Sequence, residues 1–387
     1  MRRLHFFVFQ SGDEAASSRA LDLMFTRSLA ACLVASLLLA CRAMTSAPIV
    51  LGAAGPWTEE YGAMNRRGIE LALEELNAGA PDQARRVQVL FRDDGGDGMR
   101  AAAIAQEFIN RRDVVGVIGH VNSGAMVAAA RIYDGHLPAV ATTASSPALT
   151  GISPWTFRVI SSDSMNGLEI ARFVMRRGRR RASILYENNA YGRGLADAFV
   201  RGFKGEIVSN DPIAEGASQD FEPFVTYFKR RQPEVIFVAG TGASGLAFLR
   251  EARRQALTAD LVGGDGWTVL TSDTTLSNGV YVGAPFTPDD KRAEARSFVQ
   301  RFRKRYGMSP DGNAALAYDA TMLLADAARR VGPGRARLRQ YLAQLAEHGG
   351  YNGVTGRIAF SPDGDPLGKS IVMTRIQAGA LTLEDAR

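Results

Sequence analysis

The chain has 387 residues, with 46 Lys and Arg against 40 Asp and Glu, and only two cysteines, Cys32 and Cys41. So slight an excess of positive charge argues against a nucleic-acid partner, and so few thiols exclude a disulfide-held scaffold. The 347 residues from Cys41 onward exceed one typical domain and suit two, each held by its own apolar core.

The first element in chain order is a leader. Residues 28–40 (SLAACLVASLLLA) form an unbroken run of small and apolar residues behind Arg27, with Met24 a short way upstream. A charged start, an apolar stretch too short for a membrane span and small residues at a cut site make a signal peptide. Residues 1–23 are long and mixed in charge for such a leader, so translation is expected to begin at Met24. The order Leu38-Leu39-Ala40-Cys41 resembles the lipobox of bacterial lipoproteins. That resemblance implies cleavage before Cys41, a lipid anchor on its sulfur, and a protein exported to the periplasm or cell surface. An ordinary cleavage after the small residues, or a short membrane anchor with Cys41 idle, stays open. No second apolar stretch of about 20 residues follows, so no further span is expected.

From there short apolar runs alternate with amphipathic ones. Strands are predicted at 49–54, 87–93, 114–119, 137–142, 182–187, 234–240, 261–265 and 279–285, and helices at 64–79, 99–112, 164–177 and 244–256. In the first helix Ile69, Leu73 and Leu76 recur at helical spacing. This βαβα rhythm predicts parallel sheets with helices on both faces, and about ten strands are more than one open sheet usually holds. Two doubly wound α/β lobes are therefore expected, with the chain crossing between them at 155–167 and 284–294, where turn formers interrupt the rhythm. The basic run 176–181 (RRGRRR) falls between a helix and a strand, where cations complement a helix C-terminus.

The search for chemistry removes most enzymes. His120, His136 and His348 are the histidines after Cys41, and no H-E-x-x-H, C-x-x-C or G-x-S-x-G occurs, so neither a metal site nor a hydrolase triad is supported. His136 reads as a solvent-side turn residue. His120 follows a buried strand, and a structural role suits it better than ligand contact. One enzymatic pattern survives: Gly240, Gly242 and Gly245 satisfy G-x-G-x-x-G between a strand and a helix, with Asp265 ending the next strand. A dinucleotide site requires that context. Against it stand its position after several βα units and the scarcity of nicotinamide dinucleotide outside the cell.

Polar residues gather instead at strand C-termini, where open α/β sheets hold ligands. Ser123 follows strand 114–119 at the start of a helix, offering a hydroxyl beside free N–H groups to a carboxylate. After strand 137–142 come the Thr143 carbonyl and the Ser145 hydroxyl, both able to accept from an ammonium group, and Asp265 could neutralise it from the other lobe. Each alone is commonly a cap or turn residue; together they favour one cleft.

The stretches "GAAGPWTEEYGAMNRRGIELALEELNA", "RDDGGD", "VIGHVNSGAM", "PAVATTASSPALT", "YENNAYGRGLADAF", "GGDGW" and "AYDATMLLADA" carry a resemblance that runs from Pro48 to Ile376. In order and spacing the sequence resembles the bacterial periplasmic solute-binding proteins of the leucine/isoleucine/valine-binding type. The resemblance implies two lobes, 48–162 plus 287–365 and 163–286 plus 366–387, joined by a three-strand hinge and closing on an amino acid that is delivered to an ABC permease. It implies ligand contacts at Tyr61, Asn122, Ser123, Thr143, Ser145, Tyr191 and Asp265, with Ser123 on the α-carboxylate, Thr143, Ser145 and Asp265 on the α-ammonium, Tyr191 closing from the second lobe and Tyr61 walling the side-chain pocket. Asp265 stands where relatives commonly have Glu, and Thr241 and Gly242 replace a stretch often aromatic. Asn122 and the Gly95-Gly96 pair occupy positions where some relatives carry a disulfide. No catalysis, no cofactor and no metal are implied, and a monomer is expected. A ligand sensor built on the same clamp is the alternative, and the branched-chain ligand itself is a hypothesis.

Overall fold

A computed structural model of the chain describes residues 47–78 and 86–384; the leader, Cys32, Cys41 and the start at Met24 lie outside the described residues. Strands β1 (Ile49–Gly55), β2 (Val87–Asp93), β3 (Val114–Gly119), β4 (Ala139–Ala141) and β5 (Thr156–Arg158) form one sheet in the order β2-β1-β3-β4-β5, parallel throughout. Its central strand β3 (VVGVIG) is buried at every position, as a strand covered on both faces must be. Helices Glu60–Ala78 and Gly312–Val331 cover one face through Ile69, Leu76, Leu316, Leu323 and Leu324. Helices Gly98–Asn110 and Ser123–Tyr133 cover the other through Phe108, Met126 and Tyr133.

The second sheet repeats this winding. Strands β6 (Arg181–Glu187), β7 (Glu206–Ile213), β8 (Val235–Ala239), β9 (Asp260–Gly263) and β10 (Tyr281–Ala284) run parallel in the order β7-β6-β8-β9-β10. A hairpin, β13 (Val372–Gln377) and β14 (Ala380–Leu383), extends its edge antiparallel to β10. The two residues joining that hairpin, Ala378 and Gly379, have φ of 48° and 79°, the backbone of a tight primed turn. Helices Asp163–Arg176 and Ala190–Gly202 lie on one face of this sheet, and Glu222–Arg231 and Gly242–Arg254 on the other.

The chain passes between the sheets after β5, after β10, and again between Phe360, which packs against Phe157 of the first core, and β13. The small pair β11 (Tyr351–Gly353) and β12 (Gly356–Ile358) precedes the last pass. Among the elements that differ from expectation are four strands of the two large sheets. β5 sits inside a stretch read as a crossing, because its buried Arg158 interrupts the apolar pattern. β7 is an edge strand, half-exposed and ending near Pro212, so its pattern is weak. β13 and β14 add an antiparallel hairpin, with β14 at the edge, to a sheet expected to be parallel.

Candidate ligand site between the lobes

In each sheet the winding reverses between the strand pairs β1/β3 and β6/β8, and such switch points leave a crevice at the strand C-termini. The two crevices face one another across a cleft whose empty space, open mouth included, is about 630 Å³. Tyr61, Gly96, Val121, Asn122, Ser123, Thr143 and Asn313 line it from the first lobe, and Asn189, Tyr191, Glu215, Thr241, Asp265 and Gly266 from the second. The lobes touch: Asn313 Nδ2 lies 3.4 Å from Thr268 Oγ1, and a Cβ on Gly194 would stand 2.5 Å from Cδ of Pro147.

On the first lobe, Ser123 opens helix Ser123–Tyr133, whose first N–H groups have no partner within the helix. Its Oγ accepts from the Ser146 backbone N–H at 3.1 Å, which leaves its proton to be donated. Asn122 is the N-cap but makes no side-chain capping bond; its Nδ2 donates to Tyr61 Oη at 2.9 Å instead. Burial pushes the Tyr61 phenol up to about 12, so it stays a neutral hydroxyl. Thr143 Oγ1 donates to the Val121 carbonyl at 3.2 Å, tying the ends of β3 and β4 together.

The second lobe supplies carboxylates. Tyr191 Oη donates to Asp265 Oδ1 at 2.9 Å and accepts from the Gly266 N–H at 3.1 Å. Desolvation raises Asp265 to about 6, against the Tyr191 hydrogen bond, which holds it down. Glu187, at the end of β6 and 1% exposed, is fully engaged: Oε1 accepts from Thr241 N, Thr241 Oγ1 and Ser244 Oγ at 3.0, 2.7 and 2.8 Å, and Oε2 from Asn189 Nδ2 at 3.2 Å. Asn189 in turn caps helix Ala190–Gly202 by accepting from Gly192 N.

Six of the expected contact residues, Tyr61, Asn122, Ser123, Thr143, Tyr191 and Asp265, thus meet in one cleft. Ser145 does not line it; its hydroxyl turns away to donate to Asp163 Oδ2 at 2.9 Å, drawn by a wholly buried carboxylate that needs donors. Cys41 lies outside the described residues. His120 is buried between Asp94 and Tyr133, with ring nitrogens 2.7 and 3.0 Å from their oxygens, and is structural. The fingerprint glycines serve packing: a Cβ on Gly245 would stand 2.5 Å from Trp267 Nε1, and one on Gly242 2.5 Å from Val269. The Thr241 N–H at the head of this loop is given to Glu187. Glu187, Asn189, Glu215 and Asn313 escaped the sequence reading; only Glu187 left a signal there, as an acid ending a buried strand.

Two doubly wound lobes facing each other across a cleft lined by helix N-termini and the Asp265 carboxylate define a two-lobed clamp with room for a small molecule. The chain belongs to the periplasmic binding protein family, which matches residues 48–380. It is 25% identical over 329 residues to the Leu/Ile/Val-binding protein homolog 1 of Brucella abortus, covering 83% of this chain and 87% of that one. Its fold is similar to that of the branched-chain amino acid transporter substrate-binding protein LivJ of Streptococcus pneumoniae in complex with isoleucine, with a TM-score of 0.80, 25% identity, and coverage of 86% and 97%. A Desulfitobacterium hafniense ABC transporter substrate-binding protein in complex with Leu is similar at a TM-score of 0.74 and 29% identity, covering 87% and 100%.

Proposed function

We propose that this chain is the extracytoplasmic substrate-binding component of an ABC importer and takes an aliphatic α-amino acid, branched-chain or related, into the cleft. The carrying observation is the pairing of Ser123 at a helix N-terminus on one wall with Asp265, desolvated and without a cation, on the other. An α-carboxylate and an α-ammonium complement those two groups, and a ligand bridging both lobes favours the closed arrangement through its differential contacts. Two of the similar solved structures hold isoleucine and leucine, and the Brucella relative is named a homolog of a Leu/Ile/Val-binding protein, which supports the same ligand class. In this reading no bond is made or broken, closure is what the permease recognises, and a lipid on Cys41 tethers the exported chain to a membrane.

Thermal unfolding of residues 42–387, refolded to strip bound ligand, is the test, run with each amino acid, with benzoate and with NAD. A ligand at 100 times its dissociation constant adds about 2.7 kcal/mol. Shifts with leucine, isoleucine or valine support the proposal. Silence with every amino acid removes it, and a shift with NAD alone overturns the binding-protein reading.

A further inference from the structure

We propose that Arg158 is a positioning residue for the carboxylate end of the cleft, holding the segment 143–151 in the shape that lets Ser123 present its hydroxyl to a ligand; this rests on the amino-acid reading above. Arg158 ends β5, is 1% exposed, and never reaches the cleft lining. Every guanidinium N–H is committed. Nη1 donates to the carbonyls of Ser145 and Ser146, each at 2.8 Å. Nη2 donates to Thr150 Oγ1 at 2.8 Å and lies 2.6 Å from Asp365 Oδ1, and Nε donates to the same oxygen at 2.7 Å.

This places two successive carbonyls of the loop on the guanidinium. The Ser145 carbonyl and the Ser146 N–H belong to one planar peptide, so holding that carbonyl fixes the direction of the N–H, which donates to Ser123 Oγ; that bond occupies an acceptor lone pair of the hydroxyl and leaves its proton to be donated. The Ser145 carbonyl also accepts from the N–H of Asp163, the first residue of the helix that begins the second lobe, at 2.9 Å. The loop is therefore pinned from Asp365 through Arg158 on one side and from the next lobe on the other. A buried guanidinium is costly unless all its donors are used, and an apolar residue would fill the same volume more cheaply. Its fixed fork is what the geometry uses, because a lysine ammonium offers three donors from one point and cannot span two carbonyls, Thr150 and Asp365 together.

A double-mutant cycle separates positioning from mere stability. L-leucine affinity is measured by calorimetry for the native chain, Arg158→Gln, Ser123→Ala and the double variant, with the unfolding midpoint of each ligand-free protein. Arg158→Gln is expected to weaken leucine binding about tenfold or more, the worth of one charge-assisted hydrogen bond, but by less than about threefold when Ser123 is already alanine. Arg158→Lys should resemble Arg158→Gln. Should Arg158→Gln fail to fold, Asp365→Asn, whose side chain is 23% exposed, loosens the same anchor, and a loss of about threefold that disappears in the Ser123→Ala background is expected. Equal losses in both backgrounds, or a lowered midpoint with unchanged affinity, overturn the positioning role alone. A native chain that binds no amino acid overturns the cleft reading and this inference with it.

Discussion

The cleft wall built on β1, β3 and β4 offers hydroxyls, amides and a helix N-terminus, whereas the wall built on β6, β8 and β9 offers Glu187 behind its surface and Asp265 at it. The two carboxylates differ in how they are satisfied. Glu187 receives four hydrogen bonds from the protein, which makes it a fixed part of the scaffold holding Thr241 and Asn189. Asp265 receives the Tyr191 hydroxyl and the backbone N–H groups of Asp265 and Gly266, and among the described residues no Lys, Arg or His lines the cleft beside it. A carboxylate whose charge is disfavoured in the free protein is the one with free energy to gain from a cationic ligand. Glu187 is buried behind the wall while Asp265 is partly exposed to the cleft, and position and donor inventory together distinguish these acids.

The largest effect expected from breaking this contrast is that of Asp265→Ala. Truncating one partner of a buried, hydrogen-bonded charge pair costs about 2–5 kcal/mol of binding, so leucine affinity should fall about 30-fold or more in calorimetry. The ligand-free protein should unfold at an unchanged or higher temperature, since a desolvated acid has been removed. A loss of stability with intact affinity would show that Asp265 is scaffold like Glu187.

Titration sharpens the same contrast with a smaller effect. With its carboxyl raised to about 6, Asp265 binds more protons in the folded, ligand-free chain than in the unfolded one between its unfolded value of 3.8 and about 6. Its contribution to stability therefore falls as pH rises through that window. Asp163 lies in the same direction, raised by burial and by Asp265. Ligand binding reverses the sign, because an ammonium group needs the ionised acid. Leucine affinity should weaken by up to about tenfold per unit as pH falls below about 6 and level off above it. The dependence should vanish in Asp265→Asn; if it persists there, another group is titrating.

Much of this was legible in the sequence because β1, β3 and β8 are continuous apolar runs, β6 is a largely buried one, and the polar residues of the cleft follow the strand C-termini. Strand-end reasoning reached Ser123, Thr143 and Asp265, while Tyr61, Asn122 and Tyr191 came from resemblance, since one tyrosine or asparagine at the start of a helix has no pattern of its own. Ser145 was misjudged because the direction of a hydroxyl depends on which buried acceptor arrives, and Asp163 is brought to it only by the chain's passage between the lobes. Asn313 reaches the cleft from a helix 190 residues after Ser123, by packing on helix Glu60–Ala78. Arg158 is the sharpest failure: a charge in a three-residue strand contradicts its own burial until five acceptor contacts are seen together.

The smallest of these effects on binding is expected on the neutral wall. Ser123→Ala removes one hydroxyl donor from a carboxylate that still has the N–H groups of helix Ser123–Tyr133, so leucine affinity should fall about tenfold, well short of Asp265→Ala. Its effect on stability should run the other way. Ser123 Oγ is the acceptor for the buried Ser146 N–H, and alanine leaves that donor unpaired at a cost of about 1–3 kcal/mol. The ligand-free Ser123→Ala protein should therefore unfold at a lower temperature than the native chain, whereas ligand-free Asp265→Ala should not. One wall is thus expected to couple binding to folding and the other to sacrifice folding stability for binding. Measuring dissociation constant and midpoint for both variants in the same buffer decides it: if Asp265→Ala is the less stable protein and Ser123→Ala the weaker binder, the roles assigned to the two walls are reversed.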